Sequence, residues 1–115
     1  MTDPTPQNQS DASLRRRRDA LIRRLPPLDA LLRGSLIERF ARCGKPNCKC
    51  ADGPGHGPKY FLSVSMPGTR PQQVYVAKDR CDEVRDLLEN QRAAHEIIEE
   101  ICEINRELLR RKSPF

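Results

Sequence analysis

The chain has 115 residues, 32% of them charged, only 4% aromatic and none tryptophan. That length holds one domain, and so few aromatics leave a small core that needs a staple such as a bound metal. No run reaches the ~18 apolar residues of a membrane-spanning helix, and the polar stretch Met1–Ser13 lacks the apolar segment of a secretory signal. Five cysteines, an odd number, in a chain without an export signal are expected to stay reduced. A cytoplasmic location follows as the expectation.

Net charge is +5 and unevenly spread. Residues 1–78 carry 14 Lys/Arg against 6 Asp/Glu, and residues 79–115 carry 7 against 10. The first part, at +8, is a candidate for phosphate contact, and the acidic second part is not. Arginine outnumbers lysine 16 to 5, which suits bidentate phosphate contact, although genomic base composition produces the same bias.

Residues 1–13, rich in Thr, Asp, Pro, Gln and Ser, read as a disordered tail, and 14–115 as a single domain. A short basic helix is expected from Asp11 or Ser13 through Arg24, with Leu14, Leu21, Ile22 and Leu25 on one face and Arg15, Arg16, Arg17 and Arg18 largely on others. Pro26-Pro27 ends it. Leu28–Arg33 reads as one or two further helical turns, stopped by Gly34. Ser35–Arg42 alternates imperfectly and reads as a strand.

The next stretch, Cys43-Gly-Lys-Pro-Asn-Cys48-Lys-Cys50-Ala-Asp-Gly-Pro-Gly-His56, gathers three cysteines and a histidine within fourteen residues of turn-forming composition. Thiolate and imidazole are preferred Zn²⁺ ligands, and a structural site takes four of them in a tetrahedron. Gly44 and Gly53 supply conformational freedom and Pro46 a fixed turn. The spacing C-x4-C-x-C-x5-H departs from the common C-x2-C opening. Inert buried thiols fit poorly, because the surrounding residues offer little apolar cover, and Cys48 and Cys50 are too close to bridge without strain. A redox pair remains the alternative. The reading is a zinc site of Cys43, Cys48, Cys50 and His56, with Cys81 as the other candidate for fourth donor if the following helix start folds back.

Lys59–Ser65 is a strand by its aromatic and β-branched content, Met66–Pro71 a turn, and Gln73–Ala77 the returning strand. With 35–42 they make a three-stranded antiparallel sheet closed at one end by the metal. From Asp79, a plausible N-cap, to about Arg111 there is neither Gly nor Pro, and one long helix is expected. Val84, Leu87, Gln91, Ala94, Ile98, Ile101, Asn105 and Leu108 fall on a heptad spacing, and Leu88, Ile97, Ile104 and Leu109 widen that stripe. At 1.5 Å per residue such a helix spans about 50 Å, so its far half is expected to pack on the N-terminal helix or on a second chain. The fold class is α+β.

The run Leu32–Phe40, the Cys-Gly-Lys-Pro-x-Cys-x-Cys and His-Gly-Pro-x-Tyr motifs, the Val-Tyr-Val strand and the long Glu/Leu/Arg helix together resemble a known type. It is a family of small uncharacterised bacterial and archaeal proteins, often encoded beside transposases. The resemblance covers about residues 31–110 and implies that Cys43, Cys48, Cys50 and His56 act as a unit. It implies no activity.

Two functions follow as expectations. The first is weakly sequence-selective nucleic-acid binding, with Arg42, Lys45, Lys49, Lys59 and Arg70 around one end of the sheet, Tyr60 and Phe61 on the neighbouring strand, and Arg15–Arg18 as a basic arm. The second is a metal-stabilised interaction module whose long helix forms a homodimer or docks on a larger mobile-element protein through Val84, Leu87, Ile98, Ile101 and Leu108, with Gln91 and Asn105 setting register. Catalysis is not expected: four candidate ligands close the zinc site, and Asp52 is the loop's single carboxylate.

Overall fold

A computed structural model of the chain describes residues 6–41 and 56–115. Cys43, Cys48, Cys50, Arg42, Lys45 and Lys49 lie outside the described residues, as does the loop carboxylate Asp52. The fold is α+β: helix α1 (Asp11–Arg23), strands β1 (Ser35–Ala41), β2 (His56–Val64) and β3 (Gln72–Val76), and helix α2 (Cys81–Arg110). Among the described residues no helix is long and apolar enough to cross a membrane.

The chain divides into two compact units, one of residues up to 30 together with 90–115, the other of residues 31–89. In the first, order begins earlier than the expected tail boundary. Pro6–Asn8 forms a 3-10 turn, and Ser10, in extended conformation, caps α1 by accepting a hydrogen bond from the Ser13 amide at 3.1 Å. Leu14 and Leu21 of α1 pack on Ile97, Ile104 and Leu108 of α2, with Leu25 and Ile101 at the margin. The far part of α2 therefore has its partner within the chain.

Burial along α2 departs from the strict heptad at Leu88, Ile97 and Ile104, three of the residues expected to widen the stripe. Ile97 is buried, whereas Ile98 keeps 48% of its surface exposed. The positions 97, 101, 104 and 108 recur every three or four residues on one face, and Ile98 stands 100° around the helix from Ile97. Ile101 is half-buried and Leu108 fully buried. Asn105, expected at a seam, accepts a hydrogen bond from Arg18 at 2.6 Å.

In the second unit the sheet has the order β1-β2-β3, antiparallel throughout. The expected helical turns at Leu28–Arg33 are absent. A tight turn, in which the Ala30 amide bonds to the Pro27 carbonyl, leads into an extended segment whose Leu32 amide donates to Leu87. Gly34 is no helix stop. It sits at φ +135°, where an added Cβ would lie 2.7 Å from the Ser63 carbonyl oxygen, so β2 passes too close for a side chain.

Between β2 and β3, Pro67-Gly68 makes the turn, with Gly68 at φ +69°. Beneath the sheet, Leu62, Val76, Cys81 and Leu88 form the core, joined by Leu32, Leu36, Tyr60, Val64 and Val84. Asp79 does not cap the long helix. It lies inside a 3-10 turn, Lys78–Arg80, that precedes α2.

Candidate nucleic-acid interface

Alternation along the strands sorts the sheet into two faces. The inner face carries Leu36, Tyr60, Leu62 and Val76, packed with the start of α2. On the outer face β1 contributes Ser35, Ile37 and Arg39, β2 contributes Lys59, Phe61 and Ser63, and β3 contributes Gln73 and Tyr75. Register makes Ile37, Phe61 and Tyr75 one cross-strand row and sets Arg39 opposite Lys59.

Two contacts confirm this sharing of a face. The Phe61 and Tyr75 rings meet edge to face, with centroids 5.8 Å apart and planes at 72°. The Arg39 guanidinium carbon lies 5.3 Å from the Phe61 centroid. Phe61 is half-buried by these neighbours, and Tyr75 remains 62% exposed. Among the described positions of this face there are two cations and no carboxylate. Glu38 falls on the other face.

The sequence-derived residues divide unequally around this surface. Lys59 is exposed and belongs to it. Phe61 belongs to it as well, but Tyr60 points into the core cluster. Arg70 lies in the β2–β3 connection, at the far end of β2 from His56. Roughly 17 Å of strand separates Lys59 from Val64. The expected ring of cations around one end therefore loses Arg70. Arg39 and Tyr75 were missed. Period-two alternation through the Pro67-Gly68 turn was the signal that pairs Tyr75 with Phe61.

Arg15–Arg18 do not form a free arm. Arg15 donates to Ser113 Oγ and to the Pro114 carbonyl, each at 2.7 Å. Arg17 grips the Glu100 carboxylate at 3.0 and 3.3 Å. Arg18 donates to Asn105 and to the Phe115 carbonyl. Arg16 is exposed.

A second arginine, Arg111, ties the N-terminal turn to the end of α2, donating to the carbonyls of Pro6, Gln7 and Gln9 and to the Asp11 and Glu107 carboxylates. Hydrogen bonds from Ser113 and then Arg111 hold the Asp11 carboxyl below its usual range. Those from Arg110 and Arg111 hold Glu107 low, against the opposing effect of burial.

Val84 and Leu87, expected as interface residues, are half-buried and line an open apolar groove of about 510 Å³ with Leu32, Leu62, Val74 and Val76, and Tyr75 of the edge strand also borders it. The charged groups at this groove, Arg80 and Glu83, pair with each other at 3.2 Å. Cys81 is buried in the core and its thiol faces the Ala77 carbonyl at 3.6 Å. Among the described residues no three or more His, Cys, Asp or Glu side chains converge as a metal site. His56 begins β2 with its Cα paired to that of Ala41, so the two described residues that flank the 42–55 segment are paired across the sheet.

One family model, Domain of unknown function (DUF6788), matches residues 11–86. The chain belongs to that family. No curated protein and no solved structure matches it. The DUF6788 region takes in α1, the whole sheet and the first turns of α2, so the outer face lies entirely inside it.

Proposed function

We propose that this DUF6788 protein is a small zinc-binding accessory protein that binds nucleic acid with little sequence selectivity. The observation that carries the reading is the outer face of the sheet, where Arg39 and Lys59 stand beside an exposed aromatic with no carboxylate among the described positions. The +8 charge of residues 1–78 supports it. Cations there neutralise phosphates and release counterions, which gives affinity without base readout.

Cys43, Cys48, Cys50 and His56 are the residues that would hold Zn²⁺. Three thiolates and an imidazole are a fitting donor set for a closed structural site. The pairing of His56 with Ala41, two residues before Cys43, suits a loop closed at its base. Burial of the Cys81 thiol among apolar side chains favours His56 as the fourth donor. The metal's contribution is to hold the loop, and with it Arg42, Lys45 and Lys49, at the Lys59 end of the sheet.

A salt titration of binding to a labelled mixed-sequence DNA tests this. Affinity should fall with a log–log slope of about −0.9 for each phosphate neutralised on duplex DNA. Lys45→Glu/Lys49→Glu should weaken all sequences alike. No complex at micromolar protein and low salt would defeat the reading.

A second reading is a protein–protein module, docking for instance on a mobile-element protein of the kind the sequence resemblance implies. Ile98 and Leu109, 48% and 63% exposed on α2, favour it. Sedimentation across a concentration series decides whether that surface joins two copies.

A further inference from the structure

We infer that the outer face of the sheet is a stacking platform for unpaired bases, so that the preferred ligand is a single-stranded nucleic acid. This rests on the nucleic-acid reading above and specifies its substrate class. Tyr75 is the decisive residue. Phe61 lies under the Arg39 guanidinium and makes a T-shaped contact with Tyr75, so its ring is already engaged. Tyr75 takes part in that contact and still leaves 62% of its surface in solvent.

Cross-strand packing alone accounts for the contact between the rings. It does not account for what surrounds them. The row that holds the exposed ring is followed along the strands by the Arg39–Lys59 pair on one side and by the exposed Gln73, with its amide donors and acceptor, on the other. An aromatic ring beside cations, on a surface without carboxylates, matches a polyanion that also carries flat apolar faces.

Bases in a duplex have their faces covered by their neighbours, and only an unpaired base can lie on a protein ring. In the bound arrangement one base stacks on Tyr75 while the phosphates beside it meet Arg39 and Lys59. Stacking of this kind is tolerant of base identity, because every base offers a π-face.

The test uses the full-length, zinc-loaded protein with two fluorescein-labelled probes, oligo-dT of twelve nucleotides and a mixed-sequence duplex of equal length, read by anisotropy at fixed salt. The expected result is tighter binding of oligo-dT. Tyr75→Ala should lower that affinity by roughly 5- to 150-fold, the range alanine substitution gives for a stacked base, and leave the duplex nearly unchanged. Tyr75→Phe and Tyr75→Trp should retain it, since the face and not the hydroxyl is used.

Circular dichroism of each variant separates loss of stacking from loss of fold. Equal affinity for both probes, or Tyr75→Ala affecting both alike or neither, overturns the platform while leaving general nucleic-acid binding standing. Binding of neither probe at low salt overturns both readings.

Discussion

Gly34 and the two carboxylates held low show how much individual residues decide here. At φ +135°, with the Ser63 carbonyl 2.7 Å from where a Cβ would sit, Gly34→Ala meets both backbone strain and a clash with β2. It should destabilise the sheet by more than about 1 kcal/mol, read from the urea midpoint. Asp11 and Glu107 give a pH dependence whose sign is fixed. Their folded-state pKa values lie below the unfolded ones of about 3.9 and 4.3, so their stabilisation is present above that range and is lost as pH falls through the lowered values. Thermal melts should therefore drop as pH is lowered from about 4.5, and Asp11→Asn/Glu107→Gln should flatten that drop. The Asp11 carboxylate was not legible beforehand, because its partners Ser113 and Arg111 stand about a hundred residues away in sequence, whereas the partners of Glu107, Arg110 and Arg111, lie three and four residues along its own helix. Tyr75 and Arg39 were equally hidden, since their meaning depends on cross-strand register and not on local composition.

At the scale of elements, strands and helices with strong local signals were readable. The β-branched and aromatic run at 59–65 and the Gly- and Pro-free stretch after Asp79 lie where β2 and α2 form. Two readings failed for physical reasons. Leu28–Arg33 looked helical by its leucines, but the segment after Pro26-Pro27 turns once and then extends beside α2, where the Leu32 amide bonds to Leu87. The heptad put Ile98 in the stripe, whereas packing on α1 buries Ile97 and Ile104, two of the residues expected to widen it, together with Leu108 and the half-buried Ile101. Deleting side chains distinguishes the two patterns. Ile104→Ala should cost about 2–5 kcal/mol and Ile98→Ala less than about 1, both by chemical denaturation. The arginine tract belongs at this scale too. Three of its four members bind the end of α2 or the residues just beyond it, so their charge is part of what holds the helices together.

For the whole molecule, the core of the sheet unit rests on Leu62, Val76, Cys81 and Leu88 with partly buried neighbours, a small apolar mass for three strands. Chains of this size commonly gain the missing stability from a staple. The concentration of Cys43, Cys48, Cys50 and His56 in one segment, closed at its base by the Ala41–His56 pair, is where such a staple belongs. Metal and folding would then be coupled, and a chelator should lower the melting temperature of the sheet as it removes the ion. In the proposed function that closure would also hold the cations of the 42–55 segment near the strands that flank it. Native mass spectrometry tests it directly. The predicted result is one Zn²⁺ on each intact chain, lost in Cys48→Ser. An intact chain that carries no metal after purification and takes up none from added Zn²⁺ would contradict it.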